Sequence, residues 1–206
     1  MSDPASQSRH VSETVPPIAD LKALAHVDRL HILASLRLDG ASTATRLGRR
    51  LGLNSGATSY HLRRLAAHGF IEADPDLGNG REKWWRARHE STRYDTAELS
   101  GDQLETGLAF TQAVLSAHAA MMQRALQHYR DLPVAWRTAS TASDVIIPLT
   151  ADEAKALTEK LFAVMTEVQR AHPPVSAPQT AEVRPFAVVF HAFPYPTEVD
   201  GPGPSK

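Results

Sequence analysis

The sequence contains no cysteine, no long apolar run and no apolar segment near its N-terminus. The lack of cysteine excludes disulfides, thiol nucleophiles, zinc fingers and iron–sulfur clusters. No stretch approaches the roughly 18–20 apolar residues that a membrane helix requires, and the polar N-terminus does not resemble a secretory signal. No Gly-x-Ser-x-Gly or His-Glu-x-x-His motif is present either. We therefore expect a cytoplasmic protein that is not an enzyme and does not contact membranes.

The charge of the chain is unevenly distributed. Over 206 residues the net charge is only −1, and the composition is that of a globular protein. Residues 20–94, however, contain 13 basic and eight acidic side chains, whereas the rest of the chain contains nine basic and 15 acidic ones. This uneven charge distribution favours a chain with two parts, of which only the basic one binds a polyanion. The alternative is a chance distribution of surface charge.

Apolar residues at helical spacing predict four helices between residues 18 and 68. Gly52 ends the third helix, because glycine turns the chain out of a helix most easily. Asn54 is a favourable cap for the fourth helix, and Gly69 ends it. The preceding residues 1–16 are predicted to be a disordered arm.

A β-hairpin is predicted directly after the fourth helix. Phe70-Ile71-Glu72 has the composition of a short strand, and the following segment is dense in turn-forming residues. Residues 81–88 then form the return strand. Trp84 and Trp85 are neighbours on this strand and face opposite sides, so at least one is expected in the core instead of stacking on bases.

A long helix is predicted next, because residues 102–130 contain no proline and one glycine. Apolar residues recur along it at alternating spacings of four and three, which is typical of a helix that pairs with another helix. We therefore expect a dimer seam, with packing onto the chain's own domain as the alternative. The predicted dimer-interface residues are Leu108, Leu115, Ala119, Met122, Leu126 and Tyr129.

The C-terminal third predicts a small β-α-β unit. A run of Val and Ile at 145–147 and an alternating apolar segment at 185–193 each predict a strand. Between them, Thr150 and Glu153 have the spacing of a capping box, which begins a helix. The predicted boundaries are 140–193 for this unit and 194–206 for a disordered tail.

Residues 40–68 have the order helix, glycine turn, helix that is typical of a helix-turn-helix. In this motif the first helix holds the second so that its N-terminal half can enter the major groove of DNA. Ser59, Tyr60 and Arg63 fall on one exposed ridge of the second helix. An arginine at such a place can bind guanine through two hydrogen bonds.

The hairpin adds basic residues that suit contacts with the phosphate backbone, which position a protein without specifying sequence. We therefore predict binding of double-stranded DNA through the helix at 54–68 and a wing at 72–83. The predicted DNA-binding residues are Asn54, Ser55, Gly56, Ser59, Tyr60, Arg63, Arg64, Arg81 and Lys83.

Residues from about 18 to 90 resemble the winged helix-turn-helix of the ArsR-type (arsenical-repressor-like) bacterial transcription regulators, over about a third of the chain. The combined order and spacing of several short stretches carry this resemblance. The resembling stretches are 21–33, 51–65, 69–71 and 80–86. The resemblance implies a symmetric dimer, an operator with two half-sites and, usually, repression that an effector relieves. It also implies that Ser55, Gly56, Ser59, Tyr60 and Arg63 form the base-reading face and that Arg81 belongs to the wing.

The sequence departs from the family pattern in two places. Arg46-Leu47-Gly48 stands where the family often has Glu-Leu-Ala, which we expect to make the supporting helix more basic and less rigid. The cysteine pair of the metal-sensing members is absent. His118 and His128 on the long helix match no ligand spacing, so we predict no metal site and no cofactor, with a metal site formed across subunits as the alternative. The region beyond Arg93 resembles the C-terminal extensions of larger members that do not sense metals.

The sequence thus predicts a mainly α fold with a small β component. A winged helix-turn-helix at 17–94 precedes a long dimerisation helix at 95–132 and the C-terminal β-α-β unit. The predicted function is a sequence-specific transcription regulator, a homodimeric repressor that binds an inverted-repeat operator. One alternative is a winged-helix module for protein interactions, with its partner surface at 140–193. Another is a regulator that senses a small-molecule effector between the long helix and the C-terminal unit.

Overall fold

Helices make up most of the structure, with a small sheet attached to the N-terminal half. The computed structural model describes residues 12–77, 82–94, 98–172 and 183–196. In the N-terminal half the elements are β1 (Glu13–Thr14), α1 (Ile18–Leu24), α2 (Val27–Asp39), β2 (Ser42–Thr43), α3 (Ala44–Leu51), α4 (Ser55–Ala67), β3 (Ile71–Ala73), β4 (Trp84–Ala87) and β5 (Ser91–Thr92). The C-terminal half contains α5 (Gly101–His128), a 3₁₀ turn (Tyr129–Asp131), α6 (Val134–Ala139) and α7 (Ala151–Ala171).

The boundaries of α3 and α4 follow from local capping chemistry. The Thr43 side chain accepts a hydrogen bond from the backbone N–H of Arg46 and begins α3. Gly52 ends that helix in the left-handed conformation, with φ of 69°. Asn54 then accepts a hydrogen bond from the backbone N–H of Ala57 at 2.8 Å and begins α4. The predicted cap at Asn54 and the glycine break at Gly52 are therefore confirmed.

The predicted hairpin is present and forms part of a three-stranded antiparallel sheet. The strand order is β2-β4-β3, with Thr43 opposite Trp84 and Ala73 opposite Trp85. Trp85 is 8 % exposed and lies in the core, as predicted for at least one of the two tryptophans. The tip of the hairpin, residues 78–81, lies outside the described residues and includes the predicted wing residue Arg81.

One core joins the helices of the N-terminal half to the sheet and to the start of α5. Its members are buried aliphatic and aromatic side chains: Leu21, Ala23, Leu24, Ile32, Leu33, Leu36, Leu47, Leu62, Leu65, Phe70, Ile71, Trp85 and Phe110. Arg37 ties α2 to the segment after the sheet by donating to the carbonyl of His89 at 2.8 Å and to Thr92 Oγ1 at 2.7 Å. Burial lowers the pKa of the Arg37 guanidinium to about 10, so the group remains charged at neutral pH.

Helix α5 has one buried and one exposed apolar face. Phe110, Ala113 and Ala117 are buried on the side that packs against α1 and α2. All six predicted dimer-interface residues are exposed: Leu108, Leu115, Ala119, Met122, Leu126 and Tyr129. One face of α5 thus packs within the chain's own domain, and a different face is left exposed where a second copy of the chain can pack.

The predicted β-α-β unit at 140–193 needs a correction. Its helix is present as α7, and the predicted capping box of Thr150 and Glu153 is confirmed. The two flanking segments, 145–147 and 185–193, are described but form no strand. A β-strand requires a neighbour for its backbone N–H and C=O groups, and nothing in the described part of the chain pairs with either segment.

The N-terminal arm also differs in part from the prediction. Residues 1–11 lie outside the described residues, as does most of the predicted tail, 197–206. Residues 13–14, however, form β1, which pairs in parallel with β5. Ser12 Oγ also lies 3.0 Å from His89 Nδ1. In the described part of the chain, no helix has both the length and the apolar character needed to cross a membrane.

A histidine pair joins α5 to the C-terminal segment. His118 Nδ1 lies 3.0 Å from His191 Nε2, and the two rings are tilted against each other. Burial and, secondarily, the charge of His191 lower the pKa of His118 below its ordinary value of 6.5. The folded state therefore takes up a proton at His118 less readily than the unfolded state does.

We expect this histidine pair to make stability depend on pH. Because the pKa of His118 is depressed in the folded state, the free energy of unfolding should fall as pH is lowered from about 8 to about 5. Urea unfolding at a series of pH values should show a flatter profile for His118→Gln than for the wild-type chain. His128→Gln, an exposed position on the same helix, should keep the wild-type slope. Equal flattening in both variants would contradict the role assigned to the pair.

Candidate nucleic-acid interface

Helices α3 and α4 approach each other closely at Gly48. A Cβ atom on Gly48 would lie 2.9 Å from the carbonyl oxygen of Leu53 and 3.1 Å from Thr58 Oγ1. Thr58 is fully buried, and its hydroxyl donates to the carbonyl of Asn54 at 2.9 Å. The expectation that Gly48 makes α3 less rigid is therefore corrected, because this glycine permits tight packing between the two helices of the motif.

The two sides of α4 differ in chemistry. Its inner side buries Thr58, His61, Leu62 and Leu65. The outer side carries the predicted recognition residues, of which Ser59 is half-buried and the others are exposed: Asn54, Ser55, Gly56, Ser59, Tyr60, Arg63 and Arg64. We call these seven residues the recognition face. Every predicted contact residue of this helix therefore lies on the side that DNA could reach.

The recognition face carries cations that are not neutralised within the described structure. Neither Arg63 nor Arg64 forms a hydrogen bond or an ion pair with any described residue, and both are exposed. Arg49, near the end of α3, is likewise exposed and without such a partner among the described residues. Free, solvent-facing guanidinium groups are suited to bidentate contacts with phosphate oxygens or guanine edges.

The described cations of the hairpin, Lys83, Arg86 and Arg88, differ because each lies against a partner. Glu72 lies 2.8 Å from Arg86 Nη2 and 3.6 Å from Arg88 Nε. The exposed Lys83, a predicted DNA contact, places its ammonium 4.2 Å from the ring centre of Trp85. A cation over an aromatic face is attracted to the ring. The ammonium of Lys83 therefore helps to stabilise the hairpin itself.

The Arg49-Arg50 pair separates into two roles. Arg50 Nη1 lies 2.6 Å from Asp39 Oδ2 and 2.8 Å from Ser35 Oγ, so Arg50 joins α3 to α2. Arg49 is unpaired among the described residues and was not among the predicted contacts. At about 100° per residue, Arg49 lies opposite the inward-facing Leu47 and Leu51, a position that suits a phosphate contact.

His61 packs inside the domain and does not face a phosphate. It is 6 % exposed, and its ring centre lies 4.7 Å from that of His26. Burial is the main cause that lowers the pKa of His61 below 6.5, and the charge of His26 adds to this effect. His61 therefore packs at the junction of the helices.

The family comparison agrees with this geometry. Residues 27–83 match the family model described as the MarR family. The matched span runs from the start of α2 to the residue before β4 and so includes the whole helix-turn-helix. The match confirms the predicted winged-helix domain of a DNA-binding transcription regulator, whereas it does not support the narrower ArsR-type assignment.

The chain is similar to the solved structures of two bacterial proteins, with low sequence identity and low TM-scores. The YusO protein from Bacillus subtilis is 16 % identical over 72 % of this chain and 80 % of its own, with a TM-score of 0.31. Wild-type MarR from E. coli, in its apo form, is 17 % identical over 72 % of this chain and 91 % of its own, with a TM-score of 0.30. No curated protein matches the chain.

Proposed function

We propose that the chain is a homodimeric repressor that binds a double-stranded inverted-repeat operator in the cytoplasm. Helix α4 inserts its recognition face into the major groove, and the wing at 72–83 contacts the backbone. The observation that carries this proposal is the arrangement of α4, whose inner side is packed in the core while its outer side presents Arg63 and Arg64, which have no partner among the described residues. A rigidly held, basic and exposed helix is what base recognition requires.

The front of α4 supports the assignment of the recognition face. Ser55 and Gly56 are small and exposed, so the backbone of the first turn can approach DNA closely. Helix N-termini receive phosphate groups well, because their first N–H groups lack partners within the helix. Tyr60 and Arg63 follow on the same ridge and have the reach to contact base edges.

The exposure of the C-terminal half supports the dimer. Ala117 is the last buried residue in the described part of the chain, so the part of α5 after Ala117, α6 and α7 contribute no buried side chain there. The exposed apolar residues of this half include Leu126, Val164 and Val168. Exposed apolar surface of this extent marks an interaction site, and the stripe on α5 supplies a self-complementary seam for a second copy.

The proposal also includes two more specific assignments, the subgroup of regulators and the control by an effector. The ArsR-type subgroup stays a prediction from the resemblance of short motifs. Relief of repression by a small-molecule effector, bound between α5 and the C-terminal segment, also stays a prediction. The exposed apolar face of α7 favours a second candidate function, in which this helix docks onto a protein partner, as in a winged-helix interaction module.

Selection of bound duplexes from genomic DNA, using the purified full chain, tests the proposed function. We expect enrichment of an inverted repeat whose half-sites lie about 10 bp apart, or a multiple of that spacing. Affinity should be nanomolar at physiological salt and should decrease steeply as salt increases. Sequence-independent binding, or a stable protein partner without duplex affinity, would overturn the proposal.

We expect Arg63→Ala to relax sequence discrimination. Loss of a bidentate contact to guanine should reduce the preference for the operator over a singly mismatched duplex at least about fivefold, or about 1 kcal/mol. Fluorescence anisotropy with both duplexes measures this ratio.

Arg49→Ala is the matched control, since it removes another exposed arginine, from α3. It should weaken binding to both duplexes equally. The dependence of affinity on salt concentration should decrease by the equivalent of about one phosphate contact. The same uniform weakening is predicted for Arg81→Ala in the wing. If Arg63→Ala and Arg49→Ala change the two affinities identically, the assignment of Arg63 to base recognition is wrong.

A further inference from the structure

Three potential metal ligands meet where the start of α2 packs against α4. His61 Nε2 lies 3.7 Å from Asp28 Oδ2, and His26 Nδ1 lies 3.9 Å from the same oxygen. One ligand atom from each residue lies within 4.8 Å of the others. Among the described residues, this is the only group of three or more histidine or acidic side chains with such spacing.

The hydrogen bonding of His61 leaves its polar atoms unused. Nδ1 of this buried ring has no hydrogen-bond partner among the described residues. Nε2 is 3.7 Å from its nearest carboxylate oxygen, which is longer than a hydrogen bond. Among the described residues Nε2, which faces Asp28, is therefore available to bind an ion, whereas Nδ1 of the same ring would keep its present surroundings.

The chemistry and spacing of the three groups fit a transition-metal ion. Two imidazoles and one carboxylate are ligands that zinc accepts, whereas magnesium and calcium prefer oxygen ligands alone. Metal–ligand bonds of about 2.0–2.1 Å in a tetrahedron separate neighbouring ligand atoms by about 3.4 Å. Two of the three separations, 3.7 and 3.9 Å, are close to that value, and the two imidazole nitrogens lie within 4.8 Å of each other.

The surroundings leave room for a fourth ligand. The side chains of His26 and Asp28 are 43 % and 35 % exposed, so the cluster opens to solvent on one side while His61 closes the other. Catalytic and labile zinc sites commonly have three protein ligands and a water molecule in the open position. His26 accepts a hydrogen bond from the Asp28 backbone N–H at 3.2 Å, and metal binding would replace this helix cap.

We propose that His26, Asp28 and His61 form a binding site for one zinc-like divalent transition-metal ion, with water as the fourth ligand. The ion would join the N-terminus of α2 to the inner side of α4, directly behind the recognition face. This inference goes beyond the proposed function, because metal binding here does not require that the chain binds DNA. It also departs from the sequence-based expectation of no metal site.

Titration of the untagged, full chain with Co²⁺ tests the site without DNA. We expect one Co²⁺ per chain, with the intense visible absorption of tetrahedral coordination, and displacement of this Co²⁺ by Zn²⁺. His26→Gln and Asp28→Asn each remove a partly exposed ligand and should weaken binding at least about 100-fold, since even indirect partners of metal ligands contribute 10–100-fold. Far-UV circular dichroism checks that both variants fold.

His68→Gln is the matched control. His68 directly follows α4 and also faces a carboxylate, with Nδ1 2.7 Å from Asp20 Oδ1, but it is outside the cluster. This variant should bind Co²⁺ as the wild-type chain does. Weak octahedral absorption, or equal loss of binding in His68→Gln and His26→Gln, would overturn the proposal.

Discussion

Replacement of Leu115 by aspartate should lower operator affinity at least about 100-fold while the DNA-binding domain remains folded. Leu115 is 41 % exposed at the middle of the apolar stripe on α5 and lies outside the core, so the aspartate would disrupt little packing within the single chain. In a two-fold dimer the same residue would meet its own copy or a close neighbour, and burial of two unpaired carboxylates is strongly unfavourable.

The size of this effect follows from bivalent binding. A dimer that places two recognition faces on two half-sites makes the second contact intramolecular, which commonly increases affinity by 10²–10⁴. A separated chain retains only one half-site contact. Analytical ultracentrifugation should therefore show a monomer at concentrations where the wild-type chain is a dimer, and anisotropy titrations should show the loss of affinity.

Ser116→Asp provides the control for the added charge. Ser116 is exposed and adjacent in sequence, but it lies about 100° around the helix from Leu115. This variant should stay dimeric and bind the operator with nearly wild-type affinity. If Leu115→Asp also stays dimeric, the seam on α5 is not the interface, and the exposed face of α7 becomes the surface to test.

Local signals explain why much of the N-terminal half could be predicted. The cap at Asn54, the left-handed turn at Gly52 and the alternation around Trp85 depend on neighbouring residues only. Each is therefore visible in a short stretch of sequence. The outward position of Arg63 follows from the same helical periodicity that buries Leu62 and Leu65.

Features that depend on distant parts of the chain were missed or misinterpreted. The segments 145–147 and 185–193 have strand-forming composition, but strand formation depends on a neighbour that the described residues do not provide. The pairing of Arg50 with Asp39 requires knowledge of how α3 lies on α2. His26 and Asp28 are more than 30 residues from His61 in sequence, and no ligand motif of a single helix or turn connects them.

The role of Gly48 also depends on a distant part of the chain and could not be predicted from its neighbours. It leads to a second prediction with a large effect, on stability. A glycine within a helix usually indicates a weak point, because alanine is more favourable there by about 1 kcal/mol. In the structure, Gly48 is buried and faces the backbone of Leu53 at the turn of the motif. Leu53 N–H also donates to the Gly48 carbonyl at 2.8 Å, so the turn and the helix are held together at this point.

We expect Gly48→Ala to lower the free energy of unfolding by about 2 kcal/mol. The added methyl group would lie 2.9 Å from a backbone oxygen that cannot rotate away, so α3 and α4 must separate. Overpacking of this kind typically costs about 1–3 kcal/mol, which exceeds the gain in helix propensity. Urea unfolding followed by tryptophan fluorescence measures the change, since Trp84 and Trp85 lie on β4, which pairs with β2 immediately before α3.

Gly56→Ala separates this steric effect from helix propensity. Gly56 is exposed on α4, and a Cβ there would meet only Asn54 Oδ1 at 3.4 Å, an ordinary contact. This substitution should raise the free energy of unfolding by up to about 1 kcal/mol, because alanine restricts the unfolded chain and favours the helix. The two variants should therefore shift stability in opposite directions. If both stabilise the chain, the close approach of α3 and α4 at Gly48 does not exist in solution, and the rigid support for the recognition face is lost with it.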